Sequence, residues 1–171
     1  LNAYYGMGTL LGIGSTGFFV IPSLGKQKTT KWGCLLAASA VIVIVIAGLG
    51  ANPMLFKGAL FFFGLTSGMI TAGATSLMLD LTAAEMAGTF IGAWGLAQAV
   101  ARGVATVLGG AVLSFGKEVF SEAMLAYSTV FILEAAGLVF AAYFLRRINV
   151  REFQENAKQA IAAIMEGDLD G

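Results

Sequence analysis

Histidine is missing from the 171-residue chain, cysteine occurs once, proline twice, and only 12% of the residues are charged. Without His the usual general base and metal ligand are gone, and no Ser–His or Cys–His nucleophile can be assembled. Cys34 alone closes no disulfide within the chain, and its apolar neighbours make it a buried, inert thiol rather than a reactive one. Formal net charge is zero, with no long basic run and no nucleic-acid motif, which removes nucleic acid as a partner. No phosphate-cradling loop, metal cluster or pair of catalytic carboxylates appears, so no enzyme activity is expected. The chain opens Leu-Asn-Ala-Tyr-Tyr, without an initiator Met, a basic n-region or a small-residue cleavage site.

What replaces charge is apolar surface. Hydrophobic residues make up 58% of the chain, against about 45–50% in soluble domains. Nine of the 20 charged residues lie from Arg146 onward, and uncharged runs such as Trp32–Phe56 are long enough to cross a bilayer. These features predict an all-α integral membrane protein whose first partner is the lipid bilayer. Five spans are expected, at about Ala3–Leu24, Trp32–Gly50, Met54–Leu79, Met86–Phe115 and Ala123–Leu145, forming a bundle over 1–147. An odd number of spans with an uninitiated N-terminus suggests that N-terminal helices of the same protein are missing upstream; the alternative is a five-helix protein that has lost its Met.

From 148 to 171 the pattern changes. Val150, Phe153, Ala157, Ile161 and Ile164 recur at helical spacing with charges between them, as in a short amphipathic helix on the cytoplasmic face, followed by a disordered end.

Glycine is abundant, with 23 residues, and forms stripes. Gly64 and Gly68 continue with Ala72 and Ser76 in the third span. Gly88, Gly92, Gly95, Ala99, Gly103 and Gly110 gather near one face of the fourth, and the first carries Gly8 and Gly12. Small residues at these steps let membrane helices approach closely, so these positions are expected to pack helix on helix. The run Val41–Ile46 has no small or polar face and is expected to look at lipid. Two charges stand mid-span, Arg102 in the fourth helix and Glu134 in the fifth, and Arg102 shares a face with Gln98 and Thr106. Charges inside a membrane are costly and usually functional. Pairing Arg102 with Glu134 would reduce that cost, either as a device that only sets register or as a site for a substrate, coupling ion or pigment. Asp80 and Glu85 read as solvated helix-end charges, and Trp94, Tyr4, Tyr5 and Tyr127 as interfacial anchors or packing residues.

The stretch Ala87-Gly-Thr-Phe-Ile-Gly-Ala-Trp-Gly-Leu-Ala-Gln-Ala-Val-Ala-Arg-Gly103, with Gly109-Gly110 and the preceding Thr75–Thr82, resembles the bacteriochlorophyll-delivery (PucC-type) branch of the major facilitator superfamily. The resemblance runs along essentially the whole chain. It implies helices eight to twelve of twelve, in other words five helices of a major-facilitator-type C-terminal half. Gly88, Gly92, Trp94, Gln98, Arg102 and Gly103 can be placed on the family's pattern. The implied role is handling of chlorophyll or bacteriochlorophyll during assembly of light-harvesting complexes or photosystems. The implied setting is the thylakoid or cytoplasmic membrane of a phototrophic bacterium, with such a complex as partner. A magnesium tetrapyrrole in a protein without His needs an oxygen or amide ligand; Glu134, offset by Arg102, is the candidate, with Gln98 as the alternative and Trp94 beside them. Two other readings stay open: a secondary transporter of an unrelated small solute, and a structural membrane subunit of a photosynthetic complex.

Orientation follows from Lys and Arg in the connections. Lys26, Lys28 and Lys31 after the first span, and Arg146, Arg147 and Arg151 after the fifth, fall on one side; Lys57 and Lys117 fall on the other. The six-to-two excess places the C-terminus in the cytoplasm. In a variant lacking Cys34, Gln27→Cys should be labelled by impermeant thiol reagents from the cytoplasmic side; labelling from the opposite side would invert the topology.

Overall fold

A computed structural model describes residues 2–82 and 87–147, together with 152, 155 and 156. Those three apart, the tail expected over 148–171 lies outside the described residues, as does Glu85. Among the described residues, five helices are long and apolar enough to cross a membrane: α1 (Asn2–Leu24), α2 (Lys26–Leu49), α3 (Pro53–Asp80), α4 (Ala87–Val119) and α5 (Ala123–Leu145). Helix is the form expected here, because a backbone in hydrocarbon must satisfy its own hydrogen bonds.

Local chemistry sets the boundaries. Gly25, at φ +80°, turns the chain between α1 and α2 in a conformation that a side chain would strain. The hydroxyls of Thr29 and Thr30 then donate to the Gly25 and Lys26 carbonyls at 2.8 and 2.9 Å. α2 therefore starts at Lys26, and Gly25–Lys31, expected as a basic loop, is one turn residue plus the opening of a helix. At the other end of α2, Asn52 caps α3, its side-chain oxygen accepting from the Met54 and Leu55 N–H groups, while Pro53 occupies the first helical position. α4 runs on to Val119, past the expected end at Phe115, leaving only 120–122 to reach α5. Within α1, Thr16–Val20 forms a π turn just before Pro22.

The helices pack as a row in the order α1, α3, α2, α5, α4. α1 and α3 run parallel and meet through glycine on both sides. A Cβ on Gly8 would strike the Phe61 carbonyl, and one on Gly12 the Leu65 carbonyl. Reciprocally, Cβ atoms on Gly64 and Gly68 would strike the carbonyls of Tyr5 and Thr9. This reciprocal four-residue spacing is how small residues bring membrane helices into backbone contact. α3 turns a second glycine, Gly73, toward Thr30 of α2, about 140° around the helix from Gly68. α2 also offers Gly33, whose Cβ would lie 3.0 Å from Ile70 Cγ1. Between α2 and α5 the core is Ala38, Val41 and Ala135, with Phe63, Phe131 and Leu138 around it.

The structure corrects two expectations. The Val41–Ile46 run does not simply face lipid: α2 sits in the middle of the row, with Val41, Ile44 and Val45 buried and Ile42, Val43 and Ile46 exposed. Apolar residues fill core and lipid face alike in a membrane, so an unbroken apolar run does not separate the two. The glycines of α4 are not a helix contact within this chain. Cβ atoms added to Gly88, Gly92, Gly95, Gly103, Gly109 or Gly110 would meet nothing within 4 Å.

One end of the row is tied by polar contacts. Lys26 Nζ lies 2.5 Å from Asp80 Oδ1, and Gln27 Nε2 donates to the Leu145 carbonyl at 2.6 Å. The start of α2 thereby holds the ends of α3 and α5. Asp80, expected as a solvated cap, is instead the partner of Lys26.

Gly64→Leu and Gly8→Leu should each destabilise the bundle by about 1–3 kcal/mol or more, because the backbones must separate, whereas Gly103→Leu should change little in this chain; unfolding in mixed micelles measures the difference. The Lys26–Asp80 pair is more than a third exposed on both sides, so a double-mutant cycle should return a coupling of about 1 kcal/mol or less that fades with salt.

Candidate functional site

α4 differs from the other helices. Its 33 residues span about 50 Å, and its only buried residue is Gly116. There a Cβ would lie 3.1 Å from the Ala126 Cβ of α5. Gly109, two turns earlier and about 20° off the same face, meets nothing within 4 Å. α4 therefore touches α5 near the connecting turn and leans away from it toward Ala87.

The face left open is chemically divided. Gly88, Gly95, Ala99 and Thr106 lie within about 60° of Arg102 around the helix, and Leu96, Val100, Val104 and Val107 about 120–160° away. The side around Arg102 holds most of the small and polar residues, with Ile91 and Leu113 about 20° from Arg102 among them, and the other side is large and apolar. Arg102 Nη2 lies 3.5 Å from Gln98 Oε1, and the Thr106 hydroxyl donates to the Arg102 carbonyl at 2.8 Å. Trp94, one turn before Gln98, is half-buried, as is Gln98 itself.

The structure thus brings Trp94, Gln98 and Arg102 into one row and does not bring Glu134 to them. The expected Arg102–Glu134 pair is not formed: among the described residues the salt bridge is Lys26–Asp80. The divergence of α4 from α5 explains this, since Arg102 lies two further turns beyond Gly109. Glu134 is exposed on α5, next to the core residue Ala135.

Around the helices, Arg102 lies about 40° from Gly116, which packs on α5, and Glu134 about 80° from Ala126, which packs on α4. Near the connecting turn, Lys117 Nζ sits 5.4 Å from the Tyr127 ring centroid. Glu134 follows Tyr127 by two turns, about 20° off its face, and Arg102 lies about 60° from Lys117 around α4. On another side of the same turn is an apolar cleft of about 440 Å³, lined by Val112, Phe115, Val119, Phe120 and Thr129 among others. No cluster of three His, Cys, Asp or Glu residues that would hold a metal occurs among the described residues.

Comparison with known proteins gives this arrangement a context. The family model described as PUCC protein matches residues 1–153, through all five helices. The chain belongs to the PucC family. It is 29% identical over 154 residues to Protein PucC of Rhodobacter capsulatus, covering 84% of this chain and 32% of that protein. It is 27% identical over 111 residues to an uncharacterized protein in the puhA-bchM intergenic region of the same bacterium, covering 65% of this chain and 23% of that protein. The chain therefore spans less than a third of the length of these PucC-family relatives. No solved structure matches it. The match to the PucC model takes in the open face of α4 and Glu134 alike.

The Lys26–Asp80 and Gln27–Leu145 ties were not anticipated from the sequence. The signal available was a Lys and an Asp at the same membrane end of consecutive spans; nothing in the sequence marked Gln27 as a cap for α5.

Proposed function

We propose that this chain is part of a non-catalytic membrane protein that handles chlorophyll or bacteriochlorophyll while light-harvesting complexes or photosystems assemble. Its setting would be the thylakoid or cytoplasmic membrane of a phototrophic bacterium, with the C-terminus in the cytoplasm, in a major-facilitator-type C-terminal half. The observation that carries the reading is the PucC-family match along residues 1–153. The open side of the α4–α5 pair supports it.

The donor chemistry on that side suits a magnesium tetrapyrrole in kind. Magnesium prefers oxygen ligands, and the Glu134 carboxylate and the Gln98 amide each present oxygen within a membrane span. As a single Arg102–Glu134 pocket within one chain the residues do not fit, because the two helices diverge. The reading therefore keeps Glu134 and the row Trp94, Gln98 and Arg102 as two separate candidate contacts for the pigment, not as walls of one pocket, with no step of pigment transfer attached to them. When bound, the pigment would supply light absorption.

The test is an absorption spectrum of protein purified from a chlorophyll-producing membrane. Tetrapyrrole bands that fall severalfold in Glu134→Ala and persist in Val100→Ala are expected. A colourless protein that exchanges a small solute across vesicles would support a transporter instead, and stoichiometric retention in a mature photosystem would support a structural subunit.

A further inference from the structure

α1 does not close all of its own hydrogen bonds. The π turn over Thr16–Val20 takes an N–H five residues back rather than four, so the Ile21 N–H goes to the Thr16 carbonyl and not to that of Gly17. The Val20 N–H is spent in the same way on Ser15, the residue that opens the turn. Pro22, next along, has no N–H. The Gly17 carbonyl thus loses the donor four residues on to the π turn and the donor five residues on to proline. The nearby hydroxyls are engaged elsewhere. Ser15 donates to the Leu11 carbonyl at 2.6 Å, and Ser23 to those of Phe19 and Val20 at 2.8 and 3.0 Å.

We propose that the Gly17 carbonyl is a main-chain acceptor site inside the first span. It takes a hydrogen from an O–H or N–H donor outside the described helices, so this side of α1 borders water or a polar group instead of lipid. Three observations carry the site. The first is depth: Gly17 lies seven residues before Leu24, about 10 Å into the span. Hydrocarbon supplies no donor there, and irregular backbone at membrane depth is tolerated where it meets protein or lines a water-filled cavity. The second is access. Gly17 is exposed and has no side chain to shield its carbonyl. A Cβ added to Gly17 or to Gly14, about 60° around the helix, would meet nothing within 4 Å. The third is the place of the proline. Pro53 stands at the first position of α3, where its missing N–H costs no bond. Pro22 stands within the first span, where it does. Thr16, one residue before Gly17, is buried, so the π turn is anchored on one side and open on the other. The site stands apart from Trp94, Gln98, Arg102 and Glu134 and does not depend on the pigment reading.

The experiment isolates this one carbonyl. Gly-Phe occurs once in the chain, at Gly17-Phe18, and Gly-Cys once, at Gly33-Cys34. Glycine labelled with carbonyl carbon-13, combined with nitrogen-15 phenylalanine or nitrogen-15 cysteine, therefore selects each in solid-state NMR of the chain in lipid bilayers. Gly33 is buried and lies seven residues into α2 from Lys26, so it is a dry reference at the same depth. Gly17 is expected to show the shift of a hydrogen-bonded carbonyl and to gain signal from water protons severalfold faster than Gly33. A hydrogen-bonded shift with slow transfer from water would keep the site and assign its donor to the O–H or N–H of a side chain instead. Pro22→Ala returns a backbone donor and should bring water transfer at Gly17 down to the rate at Gly33. The shift of a free carbonyl would overturn the proposal. So would a hydrogen-bonded shift that is lost in Ser23→Ala, because the donor would then be the chain's own. Water transfer in Pro22→Ala as fast as in wild type would also overturn it, because the π turn would not have made the site.

Discussion

Lipid offers no hydrophobic reward for bringing two apolar helices together, so association has to come from close packing and from polar groups. That constraint orders the molecule. α1 and α3 meet through four glycines that admit carbonyl oxygens where side chains would stand, and α3 meets α2 through Gly73 and Gly33. α2 then meets α5 through alanine and valine. Each helix in the row is held where small residues permit contact. α4, whose small residues face nothing in the chain, is held only beside its connecting turn.

The number, type and approximate limits of the helices were readable, because membrane thickness demands long apolar runs and these stand out against Lys, Arg, Asp and Glu. The α1–α3 contact was readable in outline from Gly8, Gly12, Gly64 and Gly68. The partner of each stripe was not. Spacing shows that a face is small, not what covers it, and the stripe of α4 looked as strong as that of α3. The central place of α2 was also hidden, since Val41 in the core and Val43 at the lipid face are the same residue type. The candidate site was legible only as residue types, with Gln98, Arg102 and Glu134 standing out as polar atoms in apolar runs. Their pairing was not, because matched mid-span positions say nothing about the lean of α4.

Charge plays different parts at the end of the bundle and at its middle. Lys26–Asp80 and Gln27–Leu145 join three helices where solvent screens charge, and they contribute little energy but fix register. Arg102 and Glu134 lie mid-span, where an unpaired charge costs several kcal/mol. The same pairing chemistry is optional at the membrane surface and close to obligatory at its centre.

α4 carries Arg102, Ala99 and Thr106 on one side and Leu96, Val100, Val104 and Val107 on the other. Nitroxide labels placed singly along α4, in a background lacking Cys34, report this through their accessibility to oxygen dissolved in the bilayer. Labels at Ala99 and Thr106 should be protected and labels at Leu96, Val100, Val104 and Val107 accessible, with a helical period. Equal accessibility at all six positions would mean that α4 stands alone in lipid, and would contradict the account.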